Sequence, residues 1–121
     1  MRRYAVLAAA TAALVLGCAS SPTVEELTEE LTARVDGRLN SAMGLSEHEL
    51  IDKIGVPHNS YAFADGSRAL EYQESEFLSA IGTTITCKIS IDVDGRGTVS
   101  GWKMPAGANL YMCARITDGL R

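Results

Sequence analysis

Several things are scarce in this 121-residue chain, and each scarcity removes a class of function. There are only two histidines and three cysteines, with no CxxC and no HxxxH spacing, so a tetrahedral zinc site has no ligand set. The stretch HELID, His48 to Asp52, starts like the zincin motif but places Asp52 where the second histidine must stand. His48 and Asp52 are two potential ligands, which is too few for a metal site. DVDGRG, from Asp92 to Gly97, lacks the third acid and the closing glutamate of a calcium loop and reads as a turn. His58 follows Pro57 with no base or nucleophile beside it in the chain, while Ser46, Ser60 and Ser67 fall at caps and turns. No catalytic residue, metal or cofactor is expected. Cations are also scarce: 11 against 15 acids, a formal charge of −4. A nucleic-acid partner would require a basic face. Repeats are absent, and no apolar run approaches the roughly 20 residues of a membrane-spanning helix.

The longest apolar run is Tyr4 to Leu16, and it follows Met1-Arg2-Arg3. A short positive segment before about a dozen apolar residues is the pattern of an export signal. It ends in Val15-Leu16-Gly17-Cys18, which resembles a bacterial lipobox. The resemblance implies cleavage between Gly17 and Cys18, a diacylglycerol thioether on Cys18, and a further acyl chain of the palmitate kind on the new N-terminus. Each buried CH₂ adds ~0.8 kcal/mol, and more than one chain makes anchoring stable. Residues 1–17 are then the signal peptide, 18–23 a lipidated tether, and 24–121 one small domain of roughly 100 residues. Cleavage removes two arginines and no acid, taking the charge from −4 to −6, so the acyl chains rather than electrostatics hold the protein on lipid. Ala19 lacks the acid that retains some lipoproteins at the inner membrane. The expected location is the outer membrane, facing the periplasm.

With Cys18 lipidated, Cys87 and Cys113 remain. In an oxidising compartment an even remainder reads as a disulfide, the alternative being two buried free thiols. Closing a loop of that length adds about 3 kcal/mol or slightly more in chain-entropy terms.

Val24, Leu27, Leu31, Val35 and Leu39 recur at steps of three and four and form one helical stripe. Thr23 is placed to cap it, and Glu25, Glu26, Glu29 and Glu30 crowd its positive end. Gly37 and Asn40 weaken its far end. The stripe either packs on its own domain or serves a partner. Ser46 and Glu49 form a capping-box pattern before a second helix at about Glu47 to Ile54, which Gly55 and Pro57 terminate. Two extended runs flank Asp65-Gly66, with Tyr61 and Phe63 on one face of the first and Leu70 and Tyr72 on one face of the second. TTITCKISIDV is the clearest strand, pointing Ile85, Cys87, Ile89, Ile91 and Val93 one way. Val99 and Trp102 differ in parity, so a bulge is expected at Gly101. The tail from Pro105 must double back for Cys113 to reach Cys87. The expected fold is α+β, with two N-terminal helices packed on one face of a three- to four-stranded antiparallel sheet.

Gly44-Leu45-Ser46, Gly55-Val56-Pro57, Asp65-Gly66 and Tyr72 together resemble the SmpA/OmlA (BamE-like) family of small outer-membrane lipoproteins. The resemblance covers about thirty residues plus the lipobox, and its motifs mark fold more than site. The cysteine pair and the GANLYMC tail lie outside it. It implies a non-catalytic envelope lipoprotein acting as an interaction or structural module in outer-membrane assembly or envelope integrity. An envelope protein is the implied partner. Tyr61 and Phe63, large and beside a tight turn, are the candidate contact residues. The competing placement for them is sheet core under the helices. A second reading of the whole chain is a small periplasm-facing module that binds a ligand or acts as an inhibitor.

Overall fold

The computed structural model describes residues 21–120. The expected signal peptide and the Gly17–Cys18 cleavage and lipidation site fall within residues 1–20, which lie outside the described residues. The elements run α1 (Val24–Ala42), α2 (Glu47–Ile54), β1 (Asn59–Ala62), β2 (Arg68–Leu78), β3 (Thr83–Val93), β4 (Val99–Lys103) and α3 (Leu110–Ile116), then a 3-10 turn at Asp118–Leu120. The sheet is an antiparallel meander in the order β1-β2-β3-β4. The fold is α+β as expected, but the helices are not all N-terminal, because the sheet lies between α2 and α3. α3 packs on β2 and β3, and α1 packs on α3. The missed helix is only seven residues long, too short for its periodicity to stand out. Its local signal is a cap: Met112 N donates to Asn109 Oδ1 at 3.1 Å.

Both expected helix starts are capping boxes. Glu26 N donates to Thr23 Oγ1 at 3.2 Å and Thr23 N to Glu26 Oε2 at 3.1 Å; Glu49 N and Ser46 N make the same reciprocal pair with Ser46 and Glu49. α1 runs through Gly37 and Asn40 to Ala42, since one exposed glycine costs a helix only about 1 kcal/mol. α2 ends at Gly55, whose φ of +91° is a conformation that side chains with a Cβ avoid. The β4 register passes from Asp92↔Gly101 to Val93↔Val99, so Ser100, next to the expected Gly101, is the extra residue of the bulge. The bulge brings Val99 and Trp102 to the same, core-packed side of the sheet.

The core lies between the sheet and the helices: Leu70, Tyr72, Ile89, Ile91 and Val93 from the strands, Val35, Leu39 and Leu50 from α1 and α2, and Met112 and Leu120 from the C-terminal segment. β4 stops at Lys103 opposite Ser90. The chain then crosses to β3, where Asn109 N donates to Thr86 O at 3.2 Å, and α3 delivers Cys113 to Cys87. The two form a disulfide with Cα atoms 5.2 Å apart, and both residues are fully buried. The closing 3-10 turn wedges against the end of α2. A Cβ on Gly119 would collide with the Lys53 carbonyl, so only glycine permits that approach.

The two sheet edges differ. Along β4, the α1–α2 connection lies like a further strand: Gly44 N donates to Val99 O at 2.9 Å, Val99 N to Leu45 O at 2.8 Å, and Glu47 N to Gly97 O at 2.9 Å. At the other edge, all four residues of β1 are exposed.

Candidate interaction surface

Tyr61 pairs with Ala69 on the sheet face away from the helices and is 52% exposed; Phe63, just past β1, is 55% exposed. The sheet-core placement is therefore wrong for both. Among the described residues the helices cover only the face that carries Leu70 and Tyr72, and a one-residue offset in a strand reverses the face. Phe63 N donates to Ser67 O at 2.9 Å and opens the turn that Asp65 organises. The Asp65 carboxylate accepts from the Ser67 hydroxyl and from Ser67 N at 2.9 Å; the hydroxyl first, then the backbone N–H, holds its pKa below the usual carboxylate value.

Around this edge the polar groups are paired. Arg68 Nη1 lies 2.7 Å from Glu47 Oε1, and its Nη2 donates to Ser60 Oγ at 2.8 Å, tying α2 to β1 and β2. On the open face, Glu71 accepts from Asn59 Nδ2 at 3.1 Å and pairs with Lys88 Nζ at 3.2 Å. The Asn59 hydrogen bond is the largest cause holding the Glu71 carboxyl low, with Lys88 adding to it. His58 Nδ1 accepts from Gln73 N at 3.4 Å. Tyr72 points to the other face and donates its hydroxyl to Gly55 O at 2.9 Å. Burial, then the Glu47 carboxylate, pushes its phenol up to about 12.

His48 Nε2 and Asp52 Oδ2 stand 3.5 Å apart on the exposed side of α2. Among the described residues no three of His, Cys, Asp and Glu come together as a metal site, and no helix is long and apolar enough to cross a membrane. Two clefts flank α1. One of about 390 Å³, against α3, is lined by Leu31, Arg34, Arg38, Tyr111 and Arg115. The other, of about 480 Å³, runs between Thr28 and Leu31 of α1, Thr84 to Thr86 of β3, and the loop into α3. Both are open-sided. The arginines of the first are engaged: Arg34 with Glu30, Arg38 with Asp118 and the Ala114 carbonyl, Arg115 with Glu74 and Glu76.

Two further groups of exposed apolar side chains escaped the sequence reading as surface features. Phe77 and Ile81 sit at the β2–β3 hairpin, and Tyr111 sits on α3. Phe77 has the parity of the uncovered face, a signal available only once the covered face is known. The geometry defines a small disulfide-stapled α+β protein with a partly open sheet. No known protein family, curated protein or solved structure matches this chain.

Proposed function

We propose that the chain is a lipid-anchored, non-catalytic interaction module of the bacterial cell envelope, of the SmpA/OmlA kind. Cys18 holds it on the outer membrane facing the periplasm, and an envelope protein is its partner. Location rests on the leader and the Val15–Cys18 motif. The observation that carries the docking reading is the exposure of Tyr61 and Phe63 beside the uncovered β1 edge. A strand edge with free backbone groups and large side chains at its rim suits addition of an extended segment from another chain. Both rings lie outside the core, so removing them separates binding from folding. The test replaces Tyr61 and Phe63 with Ser, then measures melting and capture of envelope proteins from mild detergent. Unchanged melting with lost capture is expected. Full capture by the double variant overturns the assignment of these residues. For the anchor, Cys18→Ser should move the protein out of the membrane fraction, and full retention there would mean another anchor.

A further inference from the structure

β1 reaches only to Glu71 on β2, and β4 pairs only with Ser90 to Val93 on β3. Beyond those limits β2 and β3 continue as a two-stranded arm to a turn in which Ile81 N and Gly82 N both donate to Leu78 O. In a chain with 21% charged residues, none from Phe77 through Thr86 is charged. Phe77 and Ile81 at its end are 65% and 69% exposed.

The position of this tip follows from α1. Asn40, near the end of α1, accepts from Trp102 Nε1 at 3.1 Å, and Trp102 pairs with Ile91 on β3. Thr28 and Leu31, three turns earlier, face Thr84 to Thr86 across the larger cleft. α1 therefore runs alongside β3 in the same direction, and its N-terminus lies at the end of the molecule where the arm projects. The exposed Val24 and Leu27 belong to that end too. Only four residues separate Cys18 from the Thr23 cap, and the five residue steps at ~3.5 Å each span at most about 18 Å.

We propose that the β2–β3 tip rests in the interfacial layer of the bilayer, with Phe77 and Ile81 as the inserted side chains. The inference rests on the lipidation of Cys18. Two apolar side chains make a weak membrane contact alone. The lipid converts their insertion into an intramolecular event, at the high effective concentration set by a short tether. Glu25, Glu26, Glu29 and Glu30 stand at the same end, so the favoured surface is zwitterionic rather than anionic. The outcome is a fixed orientation: the tip at the lipid, and the Asp94–Gly97 turn and β4 at the far end.

The test uses the full lipidated chain in phosphatidylcholine vesicles containing nitroxide-labelled lipid. With Cys87 and Cys113 bonded and Cys18 acylated, an introduced cysteine is the only free thiol. An environment-sensitive fluorophore is attached to Ser79→Cys at the tip, or to Arg96→Cys in the opposite turn. Several-fold stronger quenching at the tip is expected, reduced to the level of the opposite turn when Phe77→Ser and Ile81→Ser are added, and weakened when phosphatidylglycerol is mixed in. Equal quenching at both positions, in protein whose mass shows the lipid, overturns the proposal and leaves the anchor standing. A mass without lipid removes the anchor reading, and the proposal with it.

Discussion

Val24, Leu27 and Leu31 in the first half of α1 and Val35 and Leu39 in the second half belong to one helical stripe. Val24 is nevertheless 80% exposed while Val35 is wholly buried. The second half lies over α3 and the closing turn, segments 76 to 79 residues later in the chain at the contacts, with Arg38 Nη1 donating to Ala114 O at 3.0 Å and Ser41 Oγ to Leu120 O at 3.1 Å. The first half extends past them, beside an open cleft. The same periodicity thus produced a core element and a free apolar surface. A stripe states which side of a helix is apolar, and the rest of the chain determines how much of that side is covered.

Truncating one leucine in each half should separate the two most strongly. Leu39→Ala should cost about 2–5 kcal/mol, as expected for a buried leucine leaving a cavity. Leu27→Ala should stay within about 0.5 kcal/mol. Urea titrations measure both, and similar losses would mean that the first half is also packed. Next in size is the disulfide that holds α3 beneath the buried half. A closed segment of 26 residues corresponds to about 3.5 kcal/mol in the chain-entropy treatment. Cys113→Ser should lose an amount of that order. Amide exchange should accelerate around Val35 to Ala42 and not at Val24 to Leu31.

Tyr72 supplies a pH-dependent version of the same contrast between covered and uncovered groups. Its buried phenol is pushed up to about 12, whereas the unfolded chain releases that proton near 10. The folded state therefore holds the proton more tightly. This contribution to stability is complete below pH 10 and is lost as pH rises from 10 to 12, by about 2–3 kcal/mol. Tyr72→Phe should flatten that slope and cost about 1 kcal/mol at neutral pH through the lost hydrogen bond to Gly55. An unchanged slope would assign the loss to other groups. The smallest expected effect is on the exposed side of the second half of α1. Gly37 is exposed, and a Cβ there meets nothing within 4 Å. Gly37→Ala should stabilise the protein by about 0.5–1 kcal/mol, read as a raised melting temperature.

Local chemistry was legible before folding. Ser46 with Glu49, Gly55, the Asp65-Gly66 turn and the alternation through Ile85 to Val93 each depend on neighbours within a few residues, and each stands where the sequence placed it. The partnership of Cys87 and Cys113 was legible by arithmetic, given the assignment of Cys18 to lipid. α3 was not legible, since seven residues carry too little periodicity. Nor was the need for glycine at position 119, because the Lys53 carbonyl it must clear lies 66 residues earlier.

For the candidate surface the division is similar. Sequence alone placed Tyr61 and Phe63 beside a tight turn and on one face of an extended run, because alternation is a property of a single strand. It left open which face the helices would cover, and so whether these rings were core or surface. Helix placement decided that: α3 arrives from the far end of the chain, sits on the side of Leu70 and Cys87, and among the described residues no helix covers the other side. The same placement left Phe77 and Ile81 exposed and put them at the end of the molecule from which α1 begins. Faces, caps and turns follow from short-range sterics and hydrogen bonding. Burial is a relation between segments distant in sequence, and only their packing sets it.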